Sequence, residues 1–175
     1  MAANSITRAA LTQTAVWGGG LARTTGSNGR WVCIPQGHSQ AVLTLGTDAA
    51  APDTGFNPTS NADDLGVVIW NSIHQTTVTN CRIWYAQGYT TNTTHILCLM
   101  RYDIDANGTL ANGVEVAGPD TDSGSDDYAT LAFTDLTMTT DNVVTSSQVL
   151  IAMVYCVDGI NAAMTAKCVL EYKEQ

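Results

Sequence analysis

QVLIAMVYCVDGINAAMTAKCVLEY, residues 148–172, is the stretch on which the fold class turns. Nine apolar residues run unbroken from Val149 to Val157. That is a strand's length, far short of the roughly 20 residues of a membrane-spanning helix. Because it is apolar on both faces, Gln148–Val157 reads as a central strand. The second half alternates. Ala162, Met164, Ala166, Cys168 and Leu170 share one face, while Thr165, Lys167 and Glu171 point the other way, as in a half-exposed strand. The apolar set Val149, Ile151, Met153, Tyr155 and Val157 is odd-numbered, and the second set is even-numbered. Odd facing even requires a two-residue connection, and Asp158-Gly159 carries type I′ turn chemistry, so a β-hairpin is predicted.

The same pattern extends outward along the chain. Further candidate strands are Arg30–Ile34, Ala41–Leu45, Gly66–Ile73, Val78–Ala86, His95–Ile104, Thr109–Val116 and Tyr128–Met138. All are rich in β-branched residues and punctuated by turns, and almost nothing has helical period. The expectation is an all-β domain over residues 30–175, a single antiparallel β-sandwich or jelly roll of about nine strands. Between Ile104 and Leu110, even positions face even ones, which requires an odd loop. Ala106-Asn107-Gly108 then forms a three-residue turn with Gly108 left-handed. In Tyr128–Met138, Leu131 and Phe133 are odd whereas Leu136 and Met138 are even. A bulge near Thr134-Asp135 would keep all four inside.

Two stretches resist strand assignment. Residues 1–29, with Gly18-Gly19-Gly20 and a Gly/Ser/Thr/Asn-rich tail, read as an extended N-terminal arm. Residues 48–65 form an unusually long loop, of the kind that carries function or tucks against a partner.

Composition narrows the function. The 175 residues are 45% apolar but only 13% charged, about half the usual share, and the net charge is −9. A nucleic-acid coat, a basic membrane-surface protein and a coiled coil are excluded. The charge is divided. Met1–Thr47 holds Arg8, Arg23 and Arg30 and no acid, whereas the rest sets four basic groups against sixteen acids. Such a split suits a cationic arm on an otherwise acidic body. No secretory signal opens the chain. Cys33, Cys81, Cys98, Cys156 and Cys168 are odd in number and lie in apolar runs, which predicts reduced, buried thiols.

Catalytic and metal patterns are incomplete. Gly37-His38-Ser39-Gln40-Ala41 resembles a hydrolase elbow but lacks the helix that must follow the serine. Asp103-Ile104-Asp105-Ala106-Asn107-Gly108 matches half of a calcium loop, yet Val114 stands where a bidentate Glu is needed, so a hairpin turn is the expectation. Asp120, Asp122, Asp126 and Asp127 crowd one Gly/Ser-rich segment, and a single Ca²⁺ there is the one metal site to consider. His38, His74 and His95 have no ligand spacing, and no cofactor is expected. The sequons Asn92-Thr93-Thr94 and Asn107-Gly108-Thr109 read as turns. Trp17 and Trp84 are candidate partner-binding aromatics. Trp84 has opposite parity to Cys81, Ile83 and Tyr85, which places it outward beside Arg82.

The whole-chain texture of thinly charged Thr/Asn-rich strands behind a glycine-jointed basic arm resembles bacteriophage capsid decoration (cement) proteins of the jelly-roll type. The resemblance implies a non-enzymatic virion protein made in the host cytoplasm. It would be a homo-oligomer, trimer or dimer, bound to the major capsid protein or other shell subunits, with no nucleic-acid or membrane partner. Arg8, Arg23 and Arg30 would then pair with acidic shell groups. The alternative is a carbohydrate- or receptor-binding β-sandwich of a virion fibre, with Trp84 as its stacking platform.

Overall fold

The computed structural model describes residues 11–21, 29–37, 43–55, 68–87, 95–122, 131–156 and 164–175. The described residues form nine strands: β1 Gln13–Leu21, β2 Trp31–Cys33, β3 Thr76–Gln87, β4 His95–Ile104, β5 Leu110–Asp122, β6 Ala132–Asp135, β7 Val143–Val144, β8 Gln148–Cys156 and β9 Met164–Glu174. They form two antiparallel sheets. Sheet A runs β1-β9-β3-β6, with the short β7 also on β3, and sheet B runs β2-β8-β4-β5. Apart from β7, the pairing is nested. First pairs with last, second with next to last, β3 with β6 and β4 with β5. A single long hairpin folded over on itself produces this order, which is the jelly roll. The all-β expectation holds.

Period-two burial explains why these segments are strands. Cys81, Ile83 and Tyr85 of β3, and Met164, Ala166, Cys168 and Leu170 of β9, point between the sheets. They meet Leu97 and Leu99 of β4 and Leu150, Ala152 and Val154 of β8. Sheet B is also covered on its far side. Cys98, Met100, Tyr102, Val149, Ile151 and Met153 pack under Leu43, Leu45 and Val68. That loop layer is pinned by aromatic handles: Trp31 Nε1 donates to the Asp48 carbonyl (2.7 Å), Tyr102 Oη to the Asp53 carbonyl (2.8 Å) and Tyr155 Oη to the Thr47 carbonyl (3.3 Å). The described part of the expected long loop, residues 48–55, thus tucks against its own sheet. Strand β8, apolar on both faces, is central as expected, between β2 and β4.

The predicted hairpin of β8 with β9 is corrected. The two strands lie in different sheets, β8 beside β2 and β4, β9 beside β1 and β3. Each buries an apolar face, and the alternation is the same whether the strands pair edge to edge or oppose each other across a sandwich. The proposed turn, Asp158-Gly159, lies outside the described residues. The other hairpin forms as read. Asp105 and Thr109 close a three-residue loop, with Gly108 at φ +78°. The Asp105 carboxylate accepts the amides of Asn107 and Thr109, each at 2.8 Å. Register shifts along β4–β5 then turn β5 over, so Leu110 lies under the loop layer and Val116 between the sheets.

Two further corrections concern sheet A. Residues 13–21, expected within a free arm, are strand β1, paired along its whole length with β9. Alternation is present there: Ala15, Trp17 and Leu21 face the core. The Gly triplet is not a set of joints. A Cβ on Gly19 would fall 1.5 Å from the Gly37 carbonyl oxygen, because residue 37 crosses against the strand and donates to the Gly18 carbonyl (3.0 Å). The second correction removes the bulge at Thr134-Asp135. The β3–β6 register is regular, Leu136 continues it by donating to the Cys81 carbonyl (2.8 Å), and Leu131 and Phe133 point to solvent, 62% and 48% exposed.

Candidate functional site: the open face of sheet A

Sheet B is closed on both sides, but the outer face of sheet A has no layer over it among the described residues. Its composition follows from register. Gly18, Lys167, Trp84 and Phe133 stand in one row across β1, β9, β3 and β6. The next row is Val16, Val169, Arg82 and Asp135. Leu131, two residues before Phe133, extends the β6 side. Val16, Leu131 and Phe133 are three of the six exposed large apolar side chains among the described residues. They share one face, Val16 at its β1 edge and Leu131 and Phe133 at its β6 edge.

An ionic and aromatic knot holds the β3–β6 side. Arg82 donates to both Asp135 oxygens, from Nε (2.6 Å) and from its terminal nitrogen (2.7 Å). This fork is the charge-assisted geometry that fixes orientation. The guanidinium carbon lies 4.4 Å from the Phe133 ring centre and 5.8 Å from that of Trp84, and the two rings are 4.7 Å apart. The bond to Arg82 lowers the Asp135 pKa below the usual carboxylate range. A cavity of about 870 Å³ opens at this end of sheet A, lined by the outward Val16, Trp84, Leu131 and Lys167 and by the inward Trp17, Tyr85 and Ala166. At Gly18 the place of a Cβ is already taken by the Lys167 backbone and Cβ, within 2.9 Å. Lys167 is exposed and has no partner among the described residues.

The other sequence candidates are placed as follows. Trp84 faces outward beside Arg82, half-buried under Phe133. Trp17 is a core residue, 5% exposed and stacked on Trp70 at 6.3 Å, which corrects its reading as a partner-binding side chain. Arg30 is exposed just before β2, and Arg8 and Arg23 lie outside the described residues. Asp120 bonds the amide and hydroxyl of Thr137. Asp126 and Asp127 lie outside the described residues, as do His38 and Ser39, so the calcium set and the elbow fall outside what the structure describes. Among the described residues no three His, Cys, Asp or Glu side chains converge as metal ligands. Asp103 accepts from Asn112 and Gln148, each at 2.8 Å, so the half calcium loop is turn structure. Cys33, Cys81, Cys98 and Cys168 are buried free thiols. Sequence reasoning missed Leu131, Phe133 and Lys167 as site residues. Parity alone could have found them, had Leu131 and Phe133 been assigned to the face shared with Trp84.

The nested eight-strand order defines the class: a jelly roll, an architecture that serves capsid and lectin domains alike. The sequence matches no protein-family model and no curated protein. Solved structures to which the chain is weakly similar include that of the infectious bursal disease virus Gx strain. It shares 16% identity and a TM-score of 0.34 over 78% of this chain and 35% of the viral one. The VP2 subviral particle of infectious bursal disease virus has 11% identity and a TM-score of 0.21 over 79% of this chain and 45% of that one. The chain thus spans less than half the length of either viral protein.

Proposed function

We propose that this chain is a structural virion protein without enzymatic activity, a bacteriophage capsid decoration (cement) subunit. The observation that carries the reading is the open outer face of sheet A. The described loops cover sheet B but none of them covers the outer face of sheet A, where Leu131, Trp84 and Phe133 gather beside a fixed Arg82–Asp135 pair. Such a face suits contact between subunits, because it buries apolar surface while desolvating few unpaired charges. The low charge density of the whole chain supports the same role. In this reading the acid-free basic stretch, with Arg8, Arg23 and Arg30, meets acidic groups of the major capsid protein. The acidic remainder faces outward.

Co-sedimentation with empty shells of the major capsid protein encoded in the same genome tests the proposal. Because β1 begins at Gln13, the informative truncation removes residues 2–11 only. The full chain pellets with shells and the truncated one does not, while both keep the same thermal transition. A full chain that stays in the supernatant overturns the assignment. A second reading, a carbohydrate-binding module of a virion fibre, draws on the cavity beside Trp84. A glycan array with hits that Trp84→Ala abolishes would favour it.

A further inference from the structure

We infer that Cys81 and Cys168 form an oxidation site in the core, a thiol pair that a small peroxide converts into a disulfide joining β3 to β9. The chemistry is independent of whatever partner the open face of sheet A meets.

Strand register brings the two sulfurs together. Cys81 lies opposite Leu170 and Cys168 opposite Ile83, so the two cysteines occupy a diagonal of the β3–β9 pair. Both side chains point between the sheets and both are fully buried. Diagonal neighbours on one face of a sheet remain within side-chain reach. Here the sulfurs are 3.7 Å apart, in contact as thiol donor and acceptor. A disulfide requires about 2.05 Å, so rotation about the Cβ bonds and a slight drawing together of the strands close the remaining gap. Cys33 and Cys98 belong to the other core cluster, under the loop layer of sheet B, apart from this pair.

Packing sets the class of oxidant. An apolar core at protein density has no room for the mixed disulfide of a bulky thiol, whereas hydrogen peroxide is barely larger than water. One thiolate attacks a peroxide oxygen and the O–O bond breaks. The departing hydroxide takes up the proton that the thiol released, giving water and a sulfenic acid. The second thiol attacks the sulfenic sulfur. The S–S bond forms, the S–O bond breaks, and hydroxide leaves with the second proton as another water. Two electrons thus pass from the two sulfurs to one peroxide. Burial, and then contact with Cys81, raise the Cys168 pKa. Thiolate is therefore scarce, and oxidation is slow at neutral pH and quickens as the pH rises. In the order β1-β9-β3-β6 the bond joins the two central strands of sheet A, the ones that carry Arg82, Trp84 and Lys167.

The full chain, purified with its thiols reduced, is treated with hydrogen peroxide in native buffer and in urea. Remaining thiols are blocked after unfolding, and unreduced peptides are mapped by mass spectrometry. In native buffer the expected product is a monomer that has lost two hydrogens and links the segment holding Cys81 to that holding Cys168. Closing a loop of that span raises Tm by about 4–12 °C, and a reductant reverses both changes. In urea the links scatter over several cysteine pairs. Cys81→Ala and Cys168→Ala abolish the link and the thermal gain, and the wild-type map decides the matter even where a variant fails to fold. Four results each overturn the inference. They are two thiols that stay open to blocking after native oxidation, a predominant link between other cysteines, separate sulfinic acids at Cys81 and Cys168 with no link, and a native map identical to that in urea.

Discussion

Gly19→Ala isolates one steric contact that fastens the first strand to the sandwich. Gly19 does not need a left-handed conformation, so the obstacle to a side chain there is steric alone. The added Cβ would stand 1.5 Å from the Gly37 carbonyl oxygen and 2.5 Å from its carbonyl carbon. Both are backbone atoms, so no rotamer change relieves the clash. Residues 36 and 37 must back away, opening the Gly37 to Gly18 hydrogen bond at 3.0 Å. Losing that bond costs about 1 kcal/mol, and overpacking adds about 1–3 kcal/mol. Reduced freedom of the unfolded chain returns about 0.4–1 kcal/mol. The net loss is about 2–3 kcal/mol, or about 5–10 °C in Tm for a chain of this length. Gly108→Ala is the control. Its φ of +78° is strained for alanine, but nothing lies within 4 Å, so the cost is conformational alone, about 1 kcal/mol. Urea and thermal unfolding of the three proteins, followed by circular dichroism, give the ranking. Gly19→Ala within about 0.5 kcal/mol of wild type, or milder than Gly108→Ala, would refute the close approach on which β1's place depends.

Other outcomes follow from particular contacts. Asp105→Ala removes the acceptor for two turn amides at 2.8 Å and lowers stability by about 1–2 kcal/mol in urea unfolding, while Asp105→Asn retains most of it. Tyr102→Phe releases the Asp53 carbonyl from its 2.8 Å bond, and hydrogen exchange at the Asp53 amide, which donates to Leu45, speeds up while exchange in β8 does not. Burial lowers the His95 pKa, so the unfolded chain takes up a proton first as the pH falls. The stability that His95 contributes is present above about pH 6.5 and declines below it, and His95→Gln flattens that part of the pH profile. Asp135, Asp103 and Asp105 are lowered by hydrogen bonds, so their stabilisation persists above about pH 4 and is lost only in stronger acid.

Much of the architecture was legible because strands announce themselves locally. His95–Ile104 has the expected bounds, and the hairpin after it follows from parity and one left-handed glycine. Asp105 shows why a half-matched calcium loop is turn chemistry. Where the reading failed, local pattern was degenerate. The alternation of β9 records which side chains are buried but not which strand lies beside them. Its partners are β1, about 150 residues earlier, and β3. Gly18-Gly19-Gly20 has the composition of a linker, and only residue 37 crossing the strand shows that small residues are needed for packing. Leu131 and Phe133 are apolar, so a rule that buries hydrophobes turned them inward, although the register of β6 on β3 turns them outward.

By itself the sequence determined the strand content, the absence of helical period, the buried thiols and the division of charge between a basic stretch over residues 1–47 and an acidic remainder. These depend on residue type and on spacing within about ten positions. Tertiary structure alone decided the nested strand order, the loop layer over sheet B and, among the described residues, the open outer face of sheet A with Trp84, Phe133 and the Arg82–Asp135 pair upon it. Each arises from juxtaposing segments far apart in the chain. Period-two patterning specifies a buried face for every strand, but which two faces meet is settled by closing the whole sandwich.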